Sequence, residues 1–283
     1  MTGVAACVRL SLPLKQVKTM TRATVQTITN ATSIQLIDMV FPTDTNHHGT
    51  LFGGVALAHM DKVAFLAATR HGRVPFVTAR SEQIDFEAPA SAGEMVEATG
   101  RVVRVGNSSL DVEVELVAEA TVSGERRRCT RGRFTMVAVK GPDVRLPLPP
   151  FYAGQQVEED GVLRMAEIIF PEQTNHYGTF YGGDGLKMLG KAAFIAATRH
   201  TRRNIVMASS ERVDFRSAVG LGDMVELVSR IVRTGCSSVT VEVELWSERL
   251  LTGQRRHAAT ARFVMVAVDE QGRPTPILSA LEV

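Results

Sequence analysis

The sequence predicts an α+β protein built from two tandem copies of one domain, each an antiparallel sheet wrapped around a central helix. Residues 41–139 align with residues 170–268 at a constant offset of 129, with 50 identities in 99 positions and no gap. Each copy holds one apolar segment of helical periodicity and several stretches that alternate apolar and polar residues, as half-buried strands do. Domains this similar are expected to pack about a pseudo-two-fold axis, forming a pseudo-dimer within one chain.

Residues 1–30 are predicted to be an N-terminal tail or a targeting segment. The first 37 residues are rich in threonine and carry four basic residues but no acidic residue. This composition is typical of an organellar transit peptide, although an unstructured tail or a true start at Met20 explains it as well. The expected location is the cytoplasm, or the mitochondrion if the segment is a transit peptide.

The first copy, residues 31–140, is predicted to contain a strand, a helix and then four strands. The segment SIQLIDMVF forms the first strand, and the helix follows from Gly54 to His71 with Gly72 as its expected C-cap. Apolar residues recur along the helix at Leu57, Ala58, Ala64, Phe65 and Ala68. The later strands are VPFVTARSEQIDF, MVEATGRVVRVG, VEVELVAEA and RGRFTMVAV. Because the helix is too apolar to lie on a wet surface, the sheet is expected to wrap around it.

Residues 141–161 are predicted to be a linker between the copies. Four prolines lie between Lys140 and Leu163, which disfavours a helix or a central strand and makes that part of the chain semi-rigid. Residues 162–272 then repeat the first domain, and residues 273–283 are predicted to be a C-terminal tail.

The bulk composition is that of a globular protein and excludes several classes of partner. Hydrophobic residues make up 45% and charged residues 22% of the chain. The net charge of +2 gives no reason to expect nucleic acid or an acidic membrane surface as a partner, and no apolar run is long enough to span a bilayer. The three cysteines are too few and too scattered for a disulfide framework or a zinc site.

A spaced motif carries a family resemblance in both copies. In the first copy it has the form P-x-D-T-N-x-x-G-x-x-F-G-G followed by M-D, from Pro42 to Asp61. This pattern resembles the acyl-CoA thioesterases of the hotdog fold, and the tandem arrangement resembles the double-hotdog acyl-CoA hydrolases. The resemblance covers residues 33–268. The other positions that fit are Ala68-Thr69-Arg70-His71, Asp85-Phe86, Pro89, Gly93 and Gly106-Asn107-Ser108-Ser109.

The resemblance implies a fold, an activity and an assembly. The fold is two hotdog domains whose sheets continue into one another. The activity is hydrolysis of fatty acyl-CoA to a free acid and CoA, with no cofactor, since the CoA belongs to the substrate. The assembly is a homo-oligomer, for which a trimer of double-hotdog chains is expected.

Asp61 is the candidate catalytic carboxylate. It lies four residues from both Leu57 and Phe65, so it is expected to be buried on the apolar face of the helix. Burial tends to raise the pKa of a carboxyl, which suits a general base working near neutral pH. The alternative is a structural aspartate bonded to a neighbouring backbone group or to Lys62. The second copy has Gly190 at the equivalent position.

The glycine pairs that open the two helices are candidate oxyanion donors. A helix start presents unpaired N–H groups and a partial positive charge, and glycine lets a substrate carbonyl approach them closely. Gly182 and Gly183 open the second helix, and Gly53 and Gly54 the first. The other interpretation is that these glycines only relieve crowding in the turn.

The resemblance implies that the helix carboxylate of one domain faces the helix start of the other. The catalytic set is then Asp61 of the first copy with Asn175, Thr179, Gly182 and Gly183 of the second. The mirror site lacks a carboxylate because it pairs the first helix start with position 190. It is therefore expected to be degenerate, and its residues are assigned to substrate binding: Asn46, Thr50, Gly53 and Gly54.

Several further residues have two interpretations each. Asp184, in the first turn of the second helix, either favours the helix dipole or substitutes for the lost carboxylate. Asn46 and Asn175 either orient a water or the carbonyl, or fold the loop through side-chain-to-backbone bonds. Arg126 and Arg202 either hold the phosphates of CoA or form part of a solvated face.

Other chemistries lack their motifs. No metal site is expected, because His47 and His176 have no second ligand at a recognised spacing. No G-x-S-x-G elbow is present for a serine esterase. A hotdog hydratase or dehydratase would pair a histidine with the aspartate, and only His59, on another helix face, is near. A non-catalytic acyl-CoA sensor is the remaining alternative, although no DNA-binding helix pair accompanies the domains.

Overall fold

The computed structural model describes residues 33–141, 144–150 and 161–277. The predicted tail at 1–30 and most of the predicted linker lie outside the described residues. Two domains are present, each with one antiparallel sheet and one long helix, and the predicted fold class is confirmed. The first domain consists of β1 (Ser33–Met39), α1 (Gly53–Gly72), β2 (Phe76–Ser81), β3 (Asp85–Phe86), β4 (Met95–Val105), β5 (Ser109–Glu119), β6 (Arg126–Gly141) and β7 (Val144–Arg145). The second consists of β8 (Val162–Ile168), α2 (Gly182–Thr201), β9 (Ile205–Ser210), β10 (Asp214–Phe215), β11 (Met224–Thr234), β12 (Ser238–Glu248) and β13 (Arg255–Ala267).

The sheet order is the same in both domains. In the first it is β1-β4-β5-β6-β2, and β3 also pairs with β6; in the second it is β8-β11-β12-β13, with β9 and β10 both pairing with β13. α1 contacts β1, β2, β4, β5 and β6, so the sheet surrounds it. Gly100 of β4 allows a close approach to this helix, since a Cβ there would lie 2.5 Å from Val63 Cγ1. A short 3-10 helix precedes each long helix, at Pro42–Asp44 and Pro171–Gln173.

The apolar face of α1 differs in part from its predicted position. Ala64 and Ala68 are fully buried, as expected. The expectation is wrong for Leu57, which is 38% exposed, and for Ala58, which is also exposed. In the first two turns the sheet covers only the opposite face, where Ala56 is buried.

A left-handed arginine, and not the predicted Gly72, caps each helix. α1 ends at Gly72 and is capped by Arg73 at φ 53°, and α2 is capped by Arg202 at φ 52°. The left-handed conformation costs a residue with a Cβ about 1–2 kcal/mol. Both guanidinium groups reach the other domain, where Arg73 pairs with Glu248 at 2.6 Å and Arg202 with Glu119 at 2.7 Å.

The pairs that join the domains obey the offset of 129 that relates the two copies. Lys62 of α1 pairs with Glu167 of β8 at 2.8 Å, and Lys191 of α2 pairs with Asp38 of β1 at 2.9 Å. Because each contact is repeated by the equivalent residues of the other copy, the domains pack about a pseudo-two-fold axis, as the repeat predicts.

The domains also share apolar packing across their boundary. Ile37 and Met95 of the first domain pack in the core of the second, and Ile168 and Met224 of the second pack in the core of the first. β1 and β8 are in contact, yet the described residues form two sheets with no ladder joining these strands. The continuous sheet implied by the family resemblance is therefore absent here, and side chains hold the domains together instead.

Ordered structure extends into both segments predicted to be irregular. Within the predicted linker 141–161, β7 pairs with the end of β6, with Val139 opposite Arg145. Within the predicted tail 273–283, Ile277 is buried and its N–H donates to Cys236 O at 2.9 Å. After the last strand of the repeat, the first domain thus gains the short strand β7 and the second domain gains the buried Ile277.

Glu119 stands at the centre of one boundary cluster. Its side chain is 1% exposed and pairs with Arg199 and Arg202 of the other domain, both at 2.7 Å, and with Arg126 of its own at 2.9 Å. Burial raises the pKa of the Glu119 carboxyl, but the three guanidinium groups outweigh burial and lower that pKa from its usual 4.5.

We expect the free energy of unfolding to fall as the pH drops below about 4.5. A carboxyl whose pKa is lower in the folded state stabilises the fold at pH values above its unfolded pKa, and this stabilisation disappears as the pH falls through the folded value. Urea denaturation measured at a series of acidic pH values checks this. Glu119→Gln should flatten the dependence, and an unchanged slope in that variant would contradict the role assigned to Glu119.

Candidate active site

A hydroxyl from the neighbouring strand holds the predicted catalytic aspartate. Thr78 Oγ1 of β2 donates to Asp61 Oδ1 at 2.7 Å. The register of β2 against β6 shifts between Thr78 and Arg80, and a bulge of this kind re-aims neighbouring side chains. Among the hydrogen bonds of the described residues none involves Asp61 Oδ2, so one carboxylate oxygen is fixed and the other is available.

Asp61 is only half-buried, so the expectation that it is enclosed in the apolar face is wrong. Its helix face is the one that carries the exposed Leu57, which the sheet leaves uncovered. The structural alternative involving Lys62 does not apply either, since that ammonium is paired with Glu167. The carboxylate therefore lies where a substrate from solvent could reach it.

The second copy has lost both members of this pair. Gly190 replaces the aspartate, and Met207 stands at the position equivalent to Thr78. A Cβ at Gly190 would lie 3.0 Å from Met207 Cε, so the methionine occupies space next to the missing side chain. The two substitutions fit each other and leave no carboxylate at this place in α2.

The start of α2 presents free backbone donors at Gly182 and Gly183. Tyr181 is the N-cap and the first backbone bond of the helix runs from Gly185 N–H to Tyr181 O at 3.0 Å. No bond from the N–H of Gly182 or Gly183 occurs among those of the described residues. Asp184 is half-buried in the same turn, where its charge suits the helix dipole.

Asn46 and Asn175 fold the loops that precede the helices. Asn175 Nδ2 donates to Thr179 Oγ1 at 2.9 Å, and its Oδ1 accepts from Tyr177 N–H at 2.9 Å. The first copy repeats the arrangement between Asn46 and Thr50 at 3.0 Å. The loop-folding interpretation is thus realised for both asparagines, and it fixes the approach to each helix start.

A cavity of about 300 Å³ lies beside the start of α2. Thr179 and Gly182 stand at one side of it, and Phe215 and Leu245 contribute apolar wall. Around Gly182 no other described residue comes within 4 Å of where a Cβ would be, its own helix backbone and chain neighbours aside.

The equivalent glycine of the first copy is partly covered. At Gly53 a Cβ would lie 3.6 Å from Phe86 Cζ, so this ring packs against Gly53, which is half-buried, while Gly54 is exposed. The equivalent ring in the second copy, Phe215, lies instead against Gly185, 3.4 Å from a Cβ built there. The helix start that is open is thus the one predicted to serve Asp61.

Contacts next to Asp61 lead across the domain boundary toward that helix start. Lys62 Nζ lies 5.6 Å from the centroid of the Phe170 ring. Phe170 is the N-cap of the 3-10 helix Pro171–Gln173, and Gln173 O accepts from Tyr181 N–H at 2.9 Å. The middle of α1 is therefore connected, through the segment from Phe170 to Gln173, to Tyr181, the N-cap of α2.

The arginines predicted to hold CoA phosphates are engaged elsewhere. Arg126 pairs with Glu97 and Glu119, and Arg202 pairs with Glu119. Their charges are thus neutralised at the domain boundary. Arg216 lines the rim of the cavity and is exposed, while its equivalent in the first copy is Glu87.

The histidines take no part in the Asp61 pair. His59 lies at the domain boundary, where burial, its largest influence, lowers its pKa, while the Asp38 and Glu167 carboxylates oppose this. His47 stacks on His48 with ring centroids 3.8 Å apart, in the loop before α1. In the parts of the chain that the structure describes, no three His, Cys, Asp or Glu side chains gather as a metal site would need.

The model of the thioesterase superfamily matches residues 48–125 and again residues 177–253. The chain belongs to the thioesterase superfamily. Each match covers the larger part of one copy of the repeat. It runs from the loop before the helix to the turn after β5 in the first copy and after β12 in the second. Neither α1 nor α2 is both long and apolar enough to cross a membrane, among the helices described here.

Named relatives of this superfamily member match it over different shares of its length. The chain is 49% identical to an acyl-CoA hydrolase from Agrobacterium tumefaciens of known crystal structure, with a TM-score of 0.79 over 86% of this chain and 97% of that one. It is 24% identical to the cytosolic acyl coenzyme A thioester hydrolase of Rattus norvegicus, over 83% of this chain and 74% of the relative. It is 40% identical to an uncharacterized acyl-CoA thioester hydrolase from Bacillus subtilis, over 38% of this chain and 63% of that relative.

Sequence reasoning about this thioesterase-superfamily chain missed three features of the site. Thr78 and Arg216 carry no motif, and Phe215 belongs to an Asp-Phe pair that was not assigned to the site. A signal for Thr78 and Arg216 exists in the repeat itself: Thr78 changes to methionine where the aspartate changes to glycine, and Arg216 replaces a glutamate. Comparing the copies for positions that change together would have pointed to Thr78.

Proposed function

We propose that the protein hydrolyses the thioester of fatty acyl-CoA to a free acid and CoA, at one site per chain. That site combines Asp61 of the first domain with the start of α2 in the second. The observation that carries the proposal is the asymmetry of the copies. The first holds the aspartate–threonine pair, and the second has the uncovered helix start with a cavity beside it.

The proposed reaction uses each group once. The thioester carbonyl oxygen lies against the N–H groups of Gly182 and Gly183, which stabilise the charge it gains. Asp61 Oδ2 takes a proton from water as the water oxygen attacks the carbonyl carbon. The tetrahedral intermediate then collapses, the carbon–sulfur bond breaks, and the CoA thiolate takes up a proton. Attack by Asp61 itself, through a mixed anhydride that water then cleaves, is the alternative route.

Other parts of the proposal concern binding and assembly. Arg216 is the cation among the described residues that line the cavity, and we assign it to the CoA moiety because Arg126 and Arg202 are paired elsewhere. The exposed apolar side chains of β2 and β9, Val77, Val206 and Met207, support a homo-oligomer through these edges, and a trimer of chains is the proposed form. Sedimentation velocity measures the mass of that assembly. The proposed location is the cytoplasm.

Release of free thiol from a panel of acyl-CoAs tests the activity. We expect the wild type to turn over, and Thr78→Val to lower kcat by about tenfold, because a hydrogen bond to a charged group is worth about 1.5 kcal/mol and 1.4 kcal/mol is a factor of ten in rate. Thr78→Ser should restore most of the rate, because it keeps the hydroxyl. Met207→Leu, at the equivalent position of the second copy, is the matched control.

The same assay separates the alternatives. An acyl-CoA sensor would bind the panel, detected by calorimetry, and release no thiol. A hydratase would change the absorbance of an enoyl-CoA without thiol release. The hydratase alternative is disfavoured because His59 makes no hydrogen bond to Asp61 among those of the described residues.

A further inference from the structure

We propose that the cavity beside α2 is the acyl-chain subsite and that it selects medium-chain acyl groups, with Ala258 and Ala259 forming its floor. This inference rests on the proposed function, since it names the acyl class hydrolysed there. Three observations carry it: the chemistry of the cavity wall, the difference between the two copies at the same place, and the volume.

The wall of the cavity has a polar part and an apolar part. Thr179 and Gly182 stand at the helix start, where we place the carbonyl, and Arg216 and Ser217 are also polar. Leu245, Ala258 and Ala259 bound the cavity as well, and all are at most 1% exposed. An acyl chain whose carbonyl lies on the amides of α2 would therefore place its carbons against this apolar surface, which is where burial favours binding.

The first copy has larger residues at three places in or beside the equivalent space. Cys129 and Thr130 stand at the positions of the two alanines. Ala56 stands at the position of Gly185, where the Phe215 ring rests 3.4 Å from a built Cβ. The second copy thus has a smaller residue at each of three places, and this domain is the one with the uncovered helix start.

The volume limits the length of the chain. A chain carbon fills about the space of one water molecule, ~30 Å³. A cavity of about 300 Å³ then holds at most about ten carbons. Pockets for small molecules range from about 300 to 1,000 Å³, so this one is at the small end. A long fatty chain would leave its distal carbons in solvent, and an acetyl group would leave the floor uncovered.

The chain-length profile of kcat/KM tests the subsite. For the wild type we expect a maximum between about six and ten carbons. Ala259→Thr installs the residue of the first copy, whose hydroxyl there donates to Asp85 O at 2.8 Å, so the fold accommodates it. This variant should lower kcat/KM for octanoyl-CoA at least tenfold, because one methylene in an apolar pocket is worth about 10-fold or more, while acetyl-CoA is hydrolysed at the wild-type rate.

Controls separate the subsite from the activity itself. Thr130→Ala, the reverse change in the first copy, should leave the profile unchanged. Ala218→Leu, at an exposed rim position, narrows the entrance and gives a second variant whose folding is not in question. Inhibition by free CoA should be the same in all variants. Absence of thiol release by the wild type from any acyl-CoA would refute the proposed function. Normal hydrolysis with an identical profile in Ala259→Thr and Ala218→Leu, or a wild-type maximum at acetyl-CoA, would overturn the subsite alone.

Discussion

Asp61→Asn is expected to lower kcat for acyl-CoA hydrolysis by about 10²–10⁴-fold, the usual contribution of a general base. The amide can still accept the hydrogen bond from Thr78 Oγ1, so the local packing is kept while the proton acceptor is lost. The measurement is thiol release under saturating acyl-CoA. The melting temperature should stay within a few degrees of the wild type, since the residue is half-buried and its one partner remains.

Asp184→Asn is the matched control for Asp61→Asn. Asp184 is the carboxylate nearest the glycine pair along α2, and it would be required if it replaced the base missing from the second copy. We expect this variant to keep most of the wild-type kcat. If Asp61→Asn turns over at the wild-type rate, or if Asp184→Asn takes its place as the inactive variant, the assignment of the base is wrong.

A single-turnover reaction in ¹⁸O water distinguishes base from nucleophile. In the general-base route the label enters the product acid directly. In the anhydride route, water that attacks the Asp61 carbonyl leaves the label in the carboxylate of the enzyme, and an unlabelled oxygen of Asp61 passes to the product. Water that attacks the acyl carbonyl of the anhydride labels the product, as the general-base route does. Label in Asp61 after one turnover therefore identifies the anhydride route. Mass spectrometry of the product and of the peptide that contains Asp61 reads both outcomes.

Gly182→Pro is expected to lower kcat by about 10²–10³-fold, the cost of removing one oxyanion donor. Gly182 is the first residue of α2, the position at which proline is best tolerated because its missing N–H has no partner in the helix. The preceding residue, Tyr181, already has the extended conformation that proline requires, at φ −69° and ψ 129°. The variant therefore removes one N–H group and keeps α2 intact.

Gly53→Pro is the control that the repeat provides. It makes the same change at the first residue of α1, in the site without a carboxylate. Its kcat should remain within about threefold of the wild type, a difference of less than 1 kcal/mol in the barrier. Equal losses in the two variants would mean that proline harms the fold at this position, and a silent Gly182→Pro would remove this N–H from the proposed oxyanion site.

Local patterns predict the elements of this fold well, because each pattern is read over a few neighbouring residues. The repeat, the helix and the strands follow from periodicity, and Asp61 stands out because its counterpart is a glycine. The burial of Asp61 was predicted wrongly since helical periodicity shows which residues share a face and not which part of that face the sheet covers. Leu57 lies on such an uncovered part.

Contacts between distant residues are what the sequence leaves open. Thr78 meets Asp61 only because a bulged strand passes the helix, and Arg73 adopts a left-handed conformation while pairing with a glutamate 175 residues away. Arg126 and Arg202 illustrate the same limit. A positive charge predicts an anionic partner, but only the packing of the two domains decides that the partner is Glu119 and not a phosphate.

The arginine caps also bear on the proposal that one site per chain is active. Each half buries a carboxylate, Glu119 or Glu248, that pairs with arginines of the other half, so deleting either half would remove these ion pairs. The second copy, which has glycine in place of the aspartate, is thereby required to stabilise the first domain. The residues of its own interior are freer to change. The residues around the cavity of the second domain could then change to suit another substrate, while Asp61 of the first domain stays the same.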